Sequence, residues 1–184
     1  MRLWRTLPRD RIAAVGEVGG PLWFPREQQG YGRHDNPELY GCIYAAEDPV
    51  SALAEALARF RGTGRLTGAE LKRAGRPLAI AEIEFDDRVA TLDLDDPKFL
   101  AGRELRPSLI ATHHRELTQG IAADLFTEYP DAAGMRWWST FEGTWMNWTL
   151  FDRAAGALEL VEVAEARLDD PSVREAAELL GLTP

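Results

Sequence analysis

The feature that most constrains this chain is the Asp48-Pro49 junction, set just behind the apolar run Gly41-Cys42-Ile43-Tyr44-Ala45. The run reads as a buried strand. Asp is a good N-cap and Pro fits the first helical position, so a helix is expected to begin there. Val50, Leu53, Ala54, Leu57 and Phe60 keep helical spacing up to Gly62. Ahead of the strand, Arg26 to Glu38 is polar and broken by Gly30, Gly32 and Pro37. This is a long loop, of the kind that is usually functional or mobile. Loop, strand and helix thus follow one another in close succession.

The remaining segments extend this pattern. Arg2 to Thr6, Leu78 to Phe85, Val89 to Leu94, Met135 to Ser139, Trp145 to Phe151 and Leu158 to Val163 read as strands. Thr67 to Ala74, Thr112 to Tyr129 and Pro171 to Leu180, the last with Asp170 as its cap, read as helices. Strands and helices mix without regular βαβ alternation, which gives an α+β class with a mixed sheet and flanking helices. The 184 residues fit one domain, residues 1–184, with a core from about 2 to 163 and a closing helix from about 171 to 182.

Charge and composition exclude several classes. Lys and Arg number 21 against 30 Asp and Glu, a net charge of −9, whereas direct nucleic-acid binding favours a basic surface. No apolar run suits a membrane span and no basic leader precedes an apolar stretch, so a cytoplasmic protein is the default expectation. The single cysteine, Cys42, excludes an intramolecular disulfide and a Cys-rich zinc site. No Walker loop, dinucleotide glycine fingerprint or metalloprotease helix motif is present. Adjacent His113 and His114 would point apart on a helix, so no metal is expected. Asp86-Asp87 and Asp93-Asp95-Asp96 are read as solvated turns.

Four residues are candidates for chemistry. Arg33 follows glycines that let the backbone turn closely, and its guanidinium suits a phosphate or carboxylate, though a surface arginine fits as well. Tyr44 lies on the strand that the loop feeds. Glu55 neighbours the apolar residues Leu53, Ala54, Ala56 and Leu57, and a carboxylate held there needs a partner or a task. Arg59, one turn later, would serve as an ordinary surface partner. Ser139 follows Trp137-Trp138, where its hydroxyl suits a ligand or a turn cap equally. Six tryptophans suffice to line an aromatic pocket, although most should be core.

Taken together, Gly32-Arg33-His34-Asp35-Asn36-Pro37, Leu39 through Pro49, and Ser51-Ala52-Leu53-Ala54-Glu55 resemble the RES domain family, named for Arg, Glu and Ser. Members typically show a Gly-Arg-aromatic loop, a Leu-Tyr-Leu-Ala-like strand and an Ala-Leu-x-Glu helix. Arg33, Tyr44 and Glu55 fall at even steps of eleven residues, as the family motif has them. Gly134-Met135-Arg136-Trp137-Trp138-Ser139 resembles the family's serine segment, Thr118 through Ala122 the helix before it, and Leu3-Trp4-Arg5 the start of the domain. The likeness implies an ADP-ribosyltransferase-like fold and NAD as substrate, with no separate cofactor. It also implies a toxin paired with an Xre-type antitoxin, with a homodimer carried as a further option. Relatives cleave NAD by hydrolysis or phosphorolysis, and some transfer ADP-ribose to protein. On this resemblance Glu55 stabilises the charge that develops at the ribose carbon, and Arg33 with Arg5 holds the pyrophosphate. Tyr44 stacks on nicotinamide or its ribose, and Ser139 bonds the ribose or the amide. His34 and Trp137 complete the substrate-binding set. His34 stands where Phe or Trp is usual, and Trp137 where Tyr is common. A catalytically silent nucleotide- or partner-binding RES fold is the alternative.

Overall fold

The computed structural model describes residues 1–183. In chain order its main elements are β1 (Arg2–Pro8), β2 (Cys42–Ala46), α1 (Pro49–Leu57), β3 (Lys72–Arg73), β4 (Arg76–Phe85) and β5 (Leu92–Asp93). There follow α2 (Pro97–Gly102), α3 (Pro107–Ile110), α4 (Arg115–Glu128), β6 (Gly134–Trp138), β7 (Met146–Phe151), β8 (Leu158–Glu165) and α5 (Pro171–Leu179). The strands form one sheet in the order β3-β4-β1-β2-β7-β6-β5, with β8 beside β4. The β1–β2, β1–β4 and β6–β7 pairs are antiparallel and β5–β6 is parallel. The sheet is therefore mixed and the class α+β. The chain packs as two compact units, which are taken in turn.

The first unit contains Met1–Trp23, Ala45–Phe85 and the chain from Glu159 onward. Strand alternation sets its core: Leu3, Arg5 and Leu7 of β1 are buried, and Arg2 to Pro8 pairs residue for residue with Glu84 to Leu78 of β4. On α1 the Asp48 carboxylate accepts the N–H groups of Val50 (2.8 Å) and Ser51 (3.1 Å), with Pro49 opening the first turn. Two otherwise unpaired helix donors are thereby satisfied. The face carrying Val50, Leu53, Ala54 and Leu57 packs against β1 and α5. Leu53 and Leu57 are wholly enclosed, each worth about 2 kcal/mol in apolar burial.

Two expectations need correction in this unit. Thr67 to Ala74 is not a helix but a turn leading into β3. Thr67 N–H and O–H donate to Glu70, as at a helix start, but Ala74 (φ 50°) and Gly75 (φ 77°) then form a two-residue left-handed turn into β4. That geometry is the tight hairpin connection and ends any helix. Asp170 occupies the cap position of α5, but its carboxylate accepts the Arg167 N–H (2.8 Å) instead of a helix donor.

The second unit contains Phe24–Tyr44 and Asp86–Leu158. Its core joins Tyr40, Cys42, Leu92, Leu94, Leu100, Ile110, Leu125, Met135, Trp137 and Phe151. The Arg153 guanidinium lies 3.6 Å from the Phe126 ring centroid and donates to the Phe126, Tyr129 and Pro130 carbonyls. It thus closes the C-terminus of α4, where backbone acceptors are otherwise unpaired. The expected strand Val89 to Leu94 is reduced to Leu92–Asp93, and two short helices, α2 and α3, follow it where the apolar pattern marks none. His113 and His114 stand exposed just ahead of α4 instead of within it. Asp87 and Asp95 are turn residues as expected, but Asp93 ends β5 and pairs with Arg136; Asp86 chelates Arg88, and Asp96 caps α2 by accepting the Lys98 N–H.

Candidate functional site

In the second unit the loop before β2 is built around one carboxylate that the sequence reading did not single out. Asp35 is buried, and its Oδ2 accepts the N–H groups of Gly30 (2.9 Å) and Gly32 (2.6 Å). Its Oδ1 accepts the Tyr44 hydroxyl at 2.7 Å, and the Tyr44 oxygen in turn accepts the His34 N–H at 2.9 Å. Gly32 is obligatory here. A Cβ on it would lie 2.4 Å from Asp35 Oδ1 and 2.5 Å from the Tyr44 hydroxyl oxygen. Gly30, at φ +141°, supplies a backbone conformation that side chains rarely adopt.

Helix α4 holds the loop from the other side. Thr118 Oγ1 donates to the Arg33 carbonyl (2.5 Å), and Gln119 Nε2 donates to the carbonyls of Gly32 (2.8 Å) and Gly30 (3.2 Å). Asn36 Nδ2 donates to the Gln119 carbonyl and the Tyr40 hydroxyl. Backbone groups of a glycine-rich loop that would otherwise face water are therefore paired, which fixes the side chains it carries.

Those side chains converge. Arg33 Nη1 donates to the carbonyls of Ile110 and Thr112, both at 2.8 Å, and its Cζ lies 4.9 Å from the Trp137 ring centroid. His34 meets Trp137 edge-on at 5.2 Å and Tyr44 at 6.4 Å. Thr149 on β7 receives the Trp137 indole N–H (3.1 Å) and bonds His34 Nδ1 (2.8 Å). The structure thus brings Arg33, His34, Tyr44 and Trp137 together and adds Asp35, Thr118, Gln119 and Thr149. Ser139 follows β6 and is buried; its Oγ accepts the Phe141 N–H (3.1 Å) at the β6–β7 turn.

Arg5 and Glu55 belong to the first unit. Arg5 is buried on β1, and its Nη1 donates to the carbonyls of Pro21 (2.8 Å) and Trp23 (3.0 Å). Glu55 is half-buried on α1, at the margin of the apolar face, as its neighbours in sequence suggested. The Arg59 guanidinium lies over the Phe60 ring at 4.6 Å.

Burial governs the electrostatics of the loop cluster. The His34 ring is held well below its ordinary pKa, first by desolvation and then by the Arg33 charge. Tyr44 is held well above its usual value by burial and by the nearby Cys42 and Asp35. Burial and Asp35 push the Cys42 thiol up to about 12. The His34 shift has a consequence for folding. The unfolded chain takes up a proton on this ring below about pH 6.5 while the folded state resists it, so stability falls as pH drops through that value. The expected slope is about 1.4 kcal/mol per pH unit from this group alone. Urea unfolding from pH 7.5 to 5 should show a steeper acid loss in the native protein than in His34→Phe; identical profiles would refute the assignment.

The sequence matches the RES domain over residues 2–172, and the chain belongs to that family. Its fold is similar to a chain in the crystal structure of the M. tuberculosis MbcT-MbcA toxin-antitoxin complex. The TM-score is 0.66 at 17% identity, covering 97% of this chain and 88% of that one. No curated protein matches significantly. Among the described residues no helix is long and apolar enough to cross a membrane.

Proposed function

We propose that this protein cleaves the nicotinamide–ribose bond of NAD and acts in the cytoplasm as the toxin of a toxin–antitoxin pair. The observation that carries the reading is the RES match over residues 2–172, which includes every candidate residue. The preorganised cluster of Arg33, His34, Tyr44 and Trp137 supports it. The fold's likeness to a chain of a toxin-antitoxin complex supports a protein antitoxin, of Xre type on the family pattern.

The chemistry follows from the reaction. Loss of nicotinamide leaves positive charge on the ribose carbon and its ring oxygen, and a carboxylate beside it lowers the barrier. Glu55 takes that role and orients the incoming water or phosphate. Arg33 and Arg5 supply positive charge to the pyrophosphate oxygens. Tyr44 has its hydroxyl engaged by Asp35 and the His34 N–H, so its ring is the part that meets nicotinamide or ribose. Ser139 bonds the ribose or the amide.

The test is nicotinamide release from NAD by purified protein, with and without phosphate. Phosphate-dependent release identifies a phosphorylase, and phosphate-independent release a hydrolase. Label retained on a protein identifies an ADP-ribosyltransferase. Binding of NAD without release in any condition would overturn the turnover claim.

A further inference from the structure

The Trp137–Thr149–His34 chain of contacts has a fixed polarity. Met135 pairs with Thr149 and Trp137 with Asn147 across β6 and β7, so Trp137 and Thr149 are diagonal neighbours on one sheet face. The indole N–H can only donate, so the Thr149 oxygen is its acceptor at 3.1 Å. Thr149 is wholly buried, and His34 Nδ1 at 2.8 Å is the one acceptor within reach of its hydroxyl proton among the described residues. If Nδ1 carried a proton instead, Thr149 O–H would be enclosed without an acceptor, at a cost of about 1–3 kcal/mol. The favourable arrangement therefore runs from indole N–H to Thr149 oxygen and from Thr149 O–H to Nδ1.

That leaves the ring proton on Nε2. Among the described residues nothing bonds Nε2. Nor is it one of the fully enclosed unpartnered side-chain atoms, which are Thr6 Oγ1, Arg73 Nε, Arg103 Nε and Arg153 Nε. A ring that is only 3% exposed thus keeps one accessible polar atom, next in sequence to a guanidinium. We infer that Thr149 is a positioning residue that fixes His34 in its Nε2–H tautomer, making His34 a one-way hydrogen-bond donor to an oxygen of the bound ligand. The ligand's identity as NAD rests on the function proposed above; the tautomer does not.

The tautomer is read from two-bond proton–nitrogen spectra of the imidazole rings at pH 7. Only three histidines are present, and His113 and His114 are exposed. The expected result is a protonated Nε2 and a bare Nδ1 for His34, lost in Thr149→Val and regained in Thr149→Ser. A protonated Nδ1 in the native protein would overturn the inference. So would an unchanged tautomer in a folded Thr149→Val variant; if that variant does not fold, the native spectrum decides alone. The ligand arm compares two substitutions. His34→Phe keeps the ring shape usual in the family but has no donor, and should raise KM for NAD about tenfold with a smaller change in kcat. His34→Gln places an amide N–H at similar reach and should recover most of that loss. The reverse order would refute the donor role. A fixed Nε2–H ring in a protein that leaves NAD intact would count against the NAD reading alone.

Discussion

Glu55→Gln should lower nicotinamide release from NAD by about 100- to 1000-fold while leaving thermal unfolding nearly unchanged. The amide keeps the shape of the side chain and removes the charge that the oxocarbenium-like transition state requires. The position favours a clean result. Glu55 is half-buried at the margin of α1, whose contacts run through Val50, Leu53, Ala54 and Leu57, and the helix is capped independently by Asp48. Product chromatography beside a melting curve checks both halves of the expectation. Full activity in a folded variant would remove Glu55 from the chemistry.

The largest expected effect on stability is at Asp35. Asp35→Ala leaves the Gly30 and Gly32 N–H groups and the Tyr44 hydroxyl without their acceptor, at a cost of about 3–5 kcal/mol in all. Asp35→Asn retains one acceptor oxygen and should cost roughly half as much. Urea denaturation gives the energies, and amide hydrogen exchange over residues 30–36 should quicken in both variants. Unchanged exchange in that segment would show that Asp35 does not hold the loop.

The sequence made the frame of the site readable where chemistry is local. Asp48-Pro49 marks α1 because capping and a fixed proline φ act within one turn, and the Glu82/Glu84 alternation marks β4 for a similar reason. Asp96-Pro97 carries the same signal as Asp48-Pro49 and does open α2, a short helix that its neighbours alone do not suggest. Thr67 to Ala74 misleads because Thr67 and Glu70 imitate a helix start, while Gly75 and a left-handed Ala74 decide the outcome. The spacing of a family motif singles out Arg33, Tyr44 and Glu55, of which the structure brings Arg33 and Tyr44 into the loop cluster. Asp35, Thr118 and Gln119 lie inside segments that resemble the family, but their roles, like that of Thr149, are not legible, because they rest on contacts with Tyr44, between α4 and the loop, and with His34, at 9 to 115 positions of sequence separation. For a buried carboxylate between an arginine loop and a tyrosine, only the close approach at Gly32 leaves a sequence trace, and loops use glycine for simple turns just as often.

Cys42 gives this protein a built-in clock for the opening of that loop. Its thiol is fully enclosed, receives Gln29 Nε2 at 3.3 Å and lies 3.7 Å from Asp35 Oδ1. With its pKa raised to about 12, the thiol reacts negligibly while the structure is closed. As the only cysteine in the chain, it makes any modification by a thiol reagent a record of one event at one place. The labelling rate then measures how often β2 and the Asp35 loop part, without isotopes or added probes. A bound nucleotide that tightens the loop should slow that rate in proportion to its occupancy.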